Sequence, residues 1–96
     1  MSNKNEIEKK LKNLKPDLEE KYNVKSIGIF GSYARKEDKE ESDIDILVEF
    51  SKDIGWEFID LKDFLEQKLG KKVDLVTNEA LKAELKENIL RDVIYQ

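Results

Sequence analysis

The chain has 96 residues with a formal net charge of −4, and 42% of its residues are charged. That length predicts one compact domain spanning residues 1–96, and an acidic, sign-mixed chain argues against direct binding to a nucleic-acid backbone, which needs clustered Lys and Arg. Cys and His are both absent, which excludes disulfides, thiolate chemistry and imidazole catalysis; any metal site must use oxygen ligands and favours a hard cation such as Mg²⁺ over Zn²⁺.

Ile7, Leu11, Leu14, Leu18 and Tyr22 recur at helical spacing, so the first segment is an amphipathic helix. Pro16 falls inside it and predicts a break, with one helix ending near Leu14 and a second starting with Pro in its first turn. Residues 24-VKSIGIF-30 are short, apolar and rich in β-branched side chains, a strand ending at Gly31. Ser32 is placed to cap a short helix reaching Arg35, and 36-KEDKEES-42 reads as an exposed loop. A second strand, 44-IDILVEF-50, is followed by the loop 51-SKDIG-55. From Trp56 to Leu69 the apolar positions return to helical spacing, and Gly70 marks the stop. A third strand, 72-KVDLV-76, precedes Thr77 and Asn78, either of which can cap a last helix reaching Asp92 with a Glu87–Arg91 pair. The tail 93-VIYQ-96 is readable as helical or extended. The order predicts an α+β (α/β) domain, a small mixed sheet flanked by helices. No apolar run approaches a membrane span, and the N-terminus has no apolar signal core, so a cytoplasmic chain without a membrane partner is expected.

Three acidic residues sit where chemistry is plausible. Strand side chains alternate, so Asp43 and Asp45 share one face while Ile44, Ile46 and Val48 take the other. Carboxylates ~6–7 Å apart repel by about 2–2.5 kcal/mol at an effective dielectric near 20, before solvent screening. A divalent cation bridging them offsets that cost. Asp74 lies between Val73 and Leu75; if those two face the core, it points the other way and can join the same acidic patch. Gly31 lets backbone approach a ligand closely, Ser32 adds a hydroxyl at a helix start, and Arg35 adds a cation one turn on. A phosphate cradle beside a carboxylate metal site suggests a metal–nucleotide substrate and phosphoryl or nucleotidyl transfer. Taken singly, a Gly-Ser turn, a D-x-D pair and a strand Asp are each more often structural; an EF-hand loop is disfavoured because DIDILV lacks its Gly.

The segment IGIFGSYARKEDKEESDIDILVEF, with KKVDLVT downstream, resembles the signature of the nucleotidyltransferase superfamily that includes DNA polymerase β, and within it the minimal nucleotidyltransferase family. The resemblance covers roughly Val24 to Tyr95. It implies the polymerase β-like nucleotidyltransferase fold and two-metal transfer of a nucleoside monophosphate from a triphosphate, with ATP as the default. It further implies that Gly31 and Ser32 hold the triphosphate, that Asp43 and Asp45 ligate two Mg²⁺ ions, and that Asp74 helps ligate the catalytic metal and activates the acceptor hydroxyl. Arg35 then supports the phosphates or the loop. Lys36 departs from the Gly usual in relatives, which puts the loop geometry in question.

Larger relatives carry an added acceptor-binding domain, for which this chain has no room, so the acceptor is expected on another chain. Similar minimal domains are commonly encoded beside a HEPN-domain ribonuclease toxin, act as its antitoxin and transfer AMP to a tyrosine of it. The resemblance therefore implies a HEPN-type toxin as partner, in a hetero-oligomer, with Trp56 or 93-VIY-95 as contact points unless they are core. Two alternatives stay open. One is a non-catalytic module that neutralises its partner by occlusion. The other is a stand-alone enzyme acting on a small molecule.

Overall fold

The computed structural model describes residues 4–31, 43–80 and 83–96. Helix α1 (Lys4–Tyr22) leads into β1 (Val24–Phe30), and β2 (Ile44–Phe50) is followed by α2 (Glu57–Leu69). Then come β3 (Val73–Thr77), a 3₁₀ turn (Asn78–Ala80), α3 (Ala83–Asp92) and β4 (Ile94–Tyr95). The four strands form one sheet in the order β3-β2-β1-β4. β1 is antiparallel to both β2 and β4, whereas β2 and β3 run parallel, so the sheet is mixed as expected.

α1 is one continuous helix with Pro16 inside it, contrary to the expected break. A proline there removes one intrahelical bond and crowds the carbonyl four residues back. Lys12 and Pro16 are both on the exposed side, where water can take the freed carbonyl. Ile7 and Leu11 before the proline and Leu18 after it are all fully buried, so the core holds both halves in one register. Packing overrides a local preference here. At the helix end Asn23 takes φ 57°, a left-handed conformation that Asn tolerates, and the chain turns directly into β1.

One face of the sheet carries Ile27 and Ile29 of β1, Ile44, Ile46 and Val48 of β2, and Val73 and Leu75 of β3. These close a single core with Ile7, Leu11 and Leu18 of α1 and Leu61, Leu65 and Leu69 of α2. Each such side chain contributes roughly 1.5–3 kcal/mol on burial. α2 is flanked by Trp56 at its N-cap and Gly70 at its C-cap; Gly70 is left-handed (φ 71°) and donates its N–H to the Glu66 carbonyl at 2.9 Å. The opposite sheet face takes Phe30 and Leu47, both buried, and Val93 lies over Gly28 so closely that a Cβ there would come within 2.7 Å of it.

The tail is extended. Ile94 and Tyr95 pair with Ile29 and Gly28, Gln96 donates its N–H to the Ile27 carbonyl at 2.9 Å, and Lys15 Nζ holds the Gln96 carbonyl at 2.6 Å. The expected Glu87–Arg91 pair is present at 3.9 Å, with both partners exposed. Thr77 accepts the Ala80 N–H at 3.2 Å and so caps the 3₁₀ turn. Among the described residues, no helix is long and apolar enough to cross a membrane.

Candidate active site

The site lies where β1 ends and β2 and β3 begin. Because Ile44 and Ile46 face the core, Asp45 faces away from it. The parallel pairing sets Ile44 opposite Val73, Asp45 opposite Asp74 and Ile46 opposite Leu75. Asp45 and Asp74 are therefore direct neighbours on one face, about 4.8 Å apart at Cα, the ordinary strand spacing. Asp74 is exposed and Asp45 half-buried. Asp43 precedes β2 by one residue, exposed at the strand mouth on the side that alternation gives to Asp45.

Two bonds hold the strand mouths together. Ile44 donates its N–H to the Lys72 carbonyl at 2.9 Å, joining the chain between Asp43 and Asp45 to the residues just before Asp74. Val73 donates its N–H to Glu66 Oε2 at 2.9 Å, which ties the start of β3 to α2. Glu66 also lies 3.8 Å from Lys62. Its part in placing Asp74 was not readable from the sequence, because the contact depends on how α2 folds back over β3.

Gly31 closes the third side. Phe30 is the antiparallel partner of Asp45, so the chain leaves β1 directly beside that carboxylate. Gly31 has φ 74°, a conformation that a side chain disfavours. A Cβ on Gly31 would overlap Asp45 Oδ2 and come within 2.9 Å of its Cγ. Only glycine satisfies both the backbone twist and the close approach. The sequence suggested a glycine that admits a ligand; the structure adds that it seats a carboxylate. Ser32, Arg35, Lys36 and the loop 36–42 lie outside the described residues.

The structure thus brings Asp45, Asp74 and Gly31 together, with Asp43 two residues along the chain from Asp45. Among the described residues, no group of three or more Asp or Glu side chains is close enough to hold one ion. The donor chemistry nevertheless suits a hard cation, since every candidate ligand is a carboxylate oxygen and neither His nor Cys occurs in the chain.

A nucleotidyltransferase-domain family model matches residues 11–96. The chain belongs to the nucleotidyltransferase domain family. It is 46% identical over 91 residues to the protein adenylyltransferase MntA of Thermococcus cleftensis, covering 94% of this chain and 92% of that one. A solved structure described as a candidate minimal nucleotidyltransferase superposes with a TM-score of 0.84 at 31% identity, covering 97% of this chain and 95% of its own. A tri-AMPylated Shewanella oneidensis HEPN toxin in complex with its MNT antitoxin gives a TM-score of 0.60 at 26% identity, covering 97% of this chain and 67% of that one. A toxin–antitoxin structure with AMP-PNP gives 0.69 at 26% identity, covering 98% and 72%. The expected fold is therefore the observed one, and the strand mouth coincides with the motif that carried the resemblance.

Proposed function

We propose that this nucleotidyltransferase moves AMP from ATP onto a tyrosine hydroxyl of a partner HEPN ribonuclease toxin and so acts as its antitoxin. The observation that carries this reading is the in-register pair Asp45–Asp74, with Gly31 pressed against the Asp45 carboxylate at the same strand mouth. Relatives named for protein adenylylation, and solved complexes of HEPN toxin with MNT antitoxin, support the same acceptor class.

In the transfer, the acceptor oxygen attacks the α-phosphorus, the bond to the bridging oxygen of the β-phosphate breaks, and pyrophosphate leaves. Asp74 accepts the acceptor's proton as the new P–O bond forms. Asp43, Asp45 and Asp74 are the residues that would hold Mg²⁺, which would supply neutralisation of charge on the triphosphate and the leaving pyrophosphate. Gly31 keeps the Asp45 carboxylate in one position and, with Ser32 and Arg35, receives the triphosphate.

The test compares Asp74→Asn and Asp43→Asn/Asp45→Asn with the wild type, using radiolabelled ATP, a HEPN-domain toxin as acceptor, and either Mg²⁺ or EDTA. Label on the partner, dependent on Mg²⁺ and on all three carboxylates, supports the reading. Label that survives EDTA or the double substitution refutes it.

The alternative is a partner-occluding module without transfer. On that reading Asp43→Asn/Asp45→Asn still protects cells from the toxin.

A further inference from the structure

Asp45 and Asp74 are held by different means. Gly31 presses on the Asp45 carboxylate directly. Asp74 is exposed, and among the described residues no hydrogen bond or ion pair fixes its carboxylate. Its position comes from the backbone that carries it.

β3 lies at one edge of the sheet, with only β2 beside it. Alternate residues of such a strand turn their N–H and C=O groups to the neighbour, and the others turn them outward. The Lys72 carbonyl accepts the Ile44 N–H at 2.9 Å, so Lys72 faces β2 and Val73 turns its N–H to the open edge. Val73 is 3% exposed, so water reaches that N–H poorly, and a buried N–H without a partner is costly. Glu66 supplies the partner: its Oε2 accepts the Val73 N–H at 2.9 Å. A carboxylate acceptor makes this bond stronger than a neutral one would be.

Glu66 is itself firmly placed. Leu65 and Leu69 beside it are buried in the core. Its main-chain carbonyl accepts the Gly70 N–H, which ends α2, while its side chain reaches past residues 70–72 to the start of β3. One residue therefore fixes both ends of the turn. Lys62, one helical turn earlier, lies 3.8 Å from Oε2 with both side chains partly exposed, a pair that adds little. The next residue after this bond is Asp74.

We infer that Glu66 is a positioning residue for the transfer. Its bond to Val73 holds the outer edge of β3 while the Ile44–Lys72 bond holds the inner edge, and together they set where Asp74 stands beside Asp45. A general base works only within hydrogen-bond reach of the proton it takes, so a strand start that frays moves Asp74 out of reach while every carboxylate stays in the chain. Binding of the triphosphate at Gly31, on the far side of Asp45, does not depend on this bond. The inference rests on the reading of Asp74 as the group that accepts the acceptor's proton. A staple that served stability alone would show the same bond, and kinetics separates the two.

Glu66→Ala deletes the acceptor, whereas Glu66→Gln keeps an oxygen for the Val73 N–H and removes the charge. Two readouts are taken below the melting temperature of each variant. The first is hydrogen exchange of the Val73 amide in the free chain, followed by NMR with the Leu11 and Ile29 amides as core references. The second is steady-state adenylyl transfer to a HEPN-domain toxin, with kcat and the KM for ATP separated. Glu66→Ala is expected to speed Val73 exchange at unchanged core exchange, and to lower kcat about 10-fold or more with the KM for ATP unchanged. Glu66→Gln is expected to restore slow exchange and most of kcat. Wild-type kcat in Glu66→Ala overturns the inference. So does a loss of kcat without faster Val73 exchange, a matching rise in the KM for ATP, or a Glu66→Gln variant as impaired as Glu66→Ala. Faster exchange of the core amides along with Val73 shows a structural staple and overturns it too. A wild-type chain that protects its Val73 amide but transfers no AMP refutes the reading of Asp74 itself, and with it any role of Glu66 in transfer; in every other outcome the wild type is active and Glu66 alone is at stake.

Discussion

Gly31 and Gly70 form a matched pair for testing how the strand mouth works. Both are left-handed, at φ 74° and 71°. Forcing a side chain into that region costs about 1–2 kcal/mol at either position. At Gly70 a Cβ meets nothing within 4 Å, so Gly70→Ala incurs that cost alone. At Gly31 the Cβ also lands on the Asp45 carboxylate, 2.9 Å from Cγ and 3.2 Å from Cβ. Turning Asp45 off its rotamer adds roughly 0.5–1.5 kcal/mol. For a domain this small each kcal/mol moves the melting temperature by about 4–8 °C. Gly70→Ala should therefore lower it by roughly 4–16 °C, and Gly31→Ala by somewhat more. Activity should separate them far more sharply. A carboxylate displaced by about 1 Å costs on the order of 100-fold in rate, so Gly31→Ala should lose nearly all adenylyl transfer while Gly70→Ala keeps it. The assay is transfer to the HEPN partner at a temperature well below both melting points, with circular dichroism confirming that both variants are folded. Full activity in folded Gly31→Ala, or equal loss in Gly70→Ala, would refute the claim that Gly31 seats Asp45.

Other substitutions probe the frame. Pro16→Ala should raise the melting temperature, because the helix already runs through Pro16 on its exposed side and would regain a hydrogen bond; a fall would mean that the proline shapes the packing of Leu11 and Leu18. Leu61→Ala, at a fully buried position, should cost about 2–5 kcal/mol in urea unfolding, and a loss under 1 kcal/mol would contradict the assigned core. Glu57 is held below the ordinary Glu range by its own backbone N–H, then by the Gly55 N–H that bonds its carboxylate at 2.8 Å, and by Lys52. A depressed carboxylate stabilises the fold above its unfolded value and loses that contribution as pH falls through the folded one. Glu57→Gln should therefore flatten the acid side of the stability–pH curve and leave its neutral side flat; an unchanged acid limb would show that these contacts do not persist in solution.

Much of the site was legible because it is written in local pattern. Alternation in 44-IDILVEF-50 put Asp45 opposite the core side chains, and Val73 and Leu75 did the same for Asp74. Both outcomes need only a strand with one buried face. Pro16 misled because a local breaker was weighed without the fully buried Ile7, Leu11 and Leu18, which the sequence shows only as a periodicity. The tail stayed ambiguous because two residues of edge strand carry almost no period of their own. What makes it a strand is the free edge of β1 and the space above Gly28, both products of the finished sheet. The contact of Gly31 with Asp45 was hidden for a related reason: it follows from the register Phe30 to Asp45, set by strands joined through thirteen intervening residues, 31–43. Trp56 was open to two readings, contact point or core, and its exposure decides against core.

The central claim is that the strand-mouth carboxylates carry a transfer to another protein. Intact-mass spectrometry tests it most directly, with the chain, ATP, Mg²⁺ and a HEPN-domain toxin as acceptor, wild type against Asp43→Asn/Asp45→Asn. The account predicts a gain of one or more AMP masses on the partner with the wild type and none with the variant. An unmodified partner that the wild type still silences in a stable complex would contradict it and leave occlusion as the mechanism.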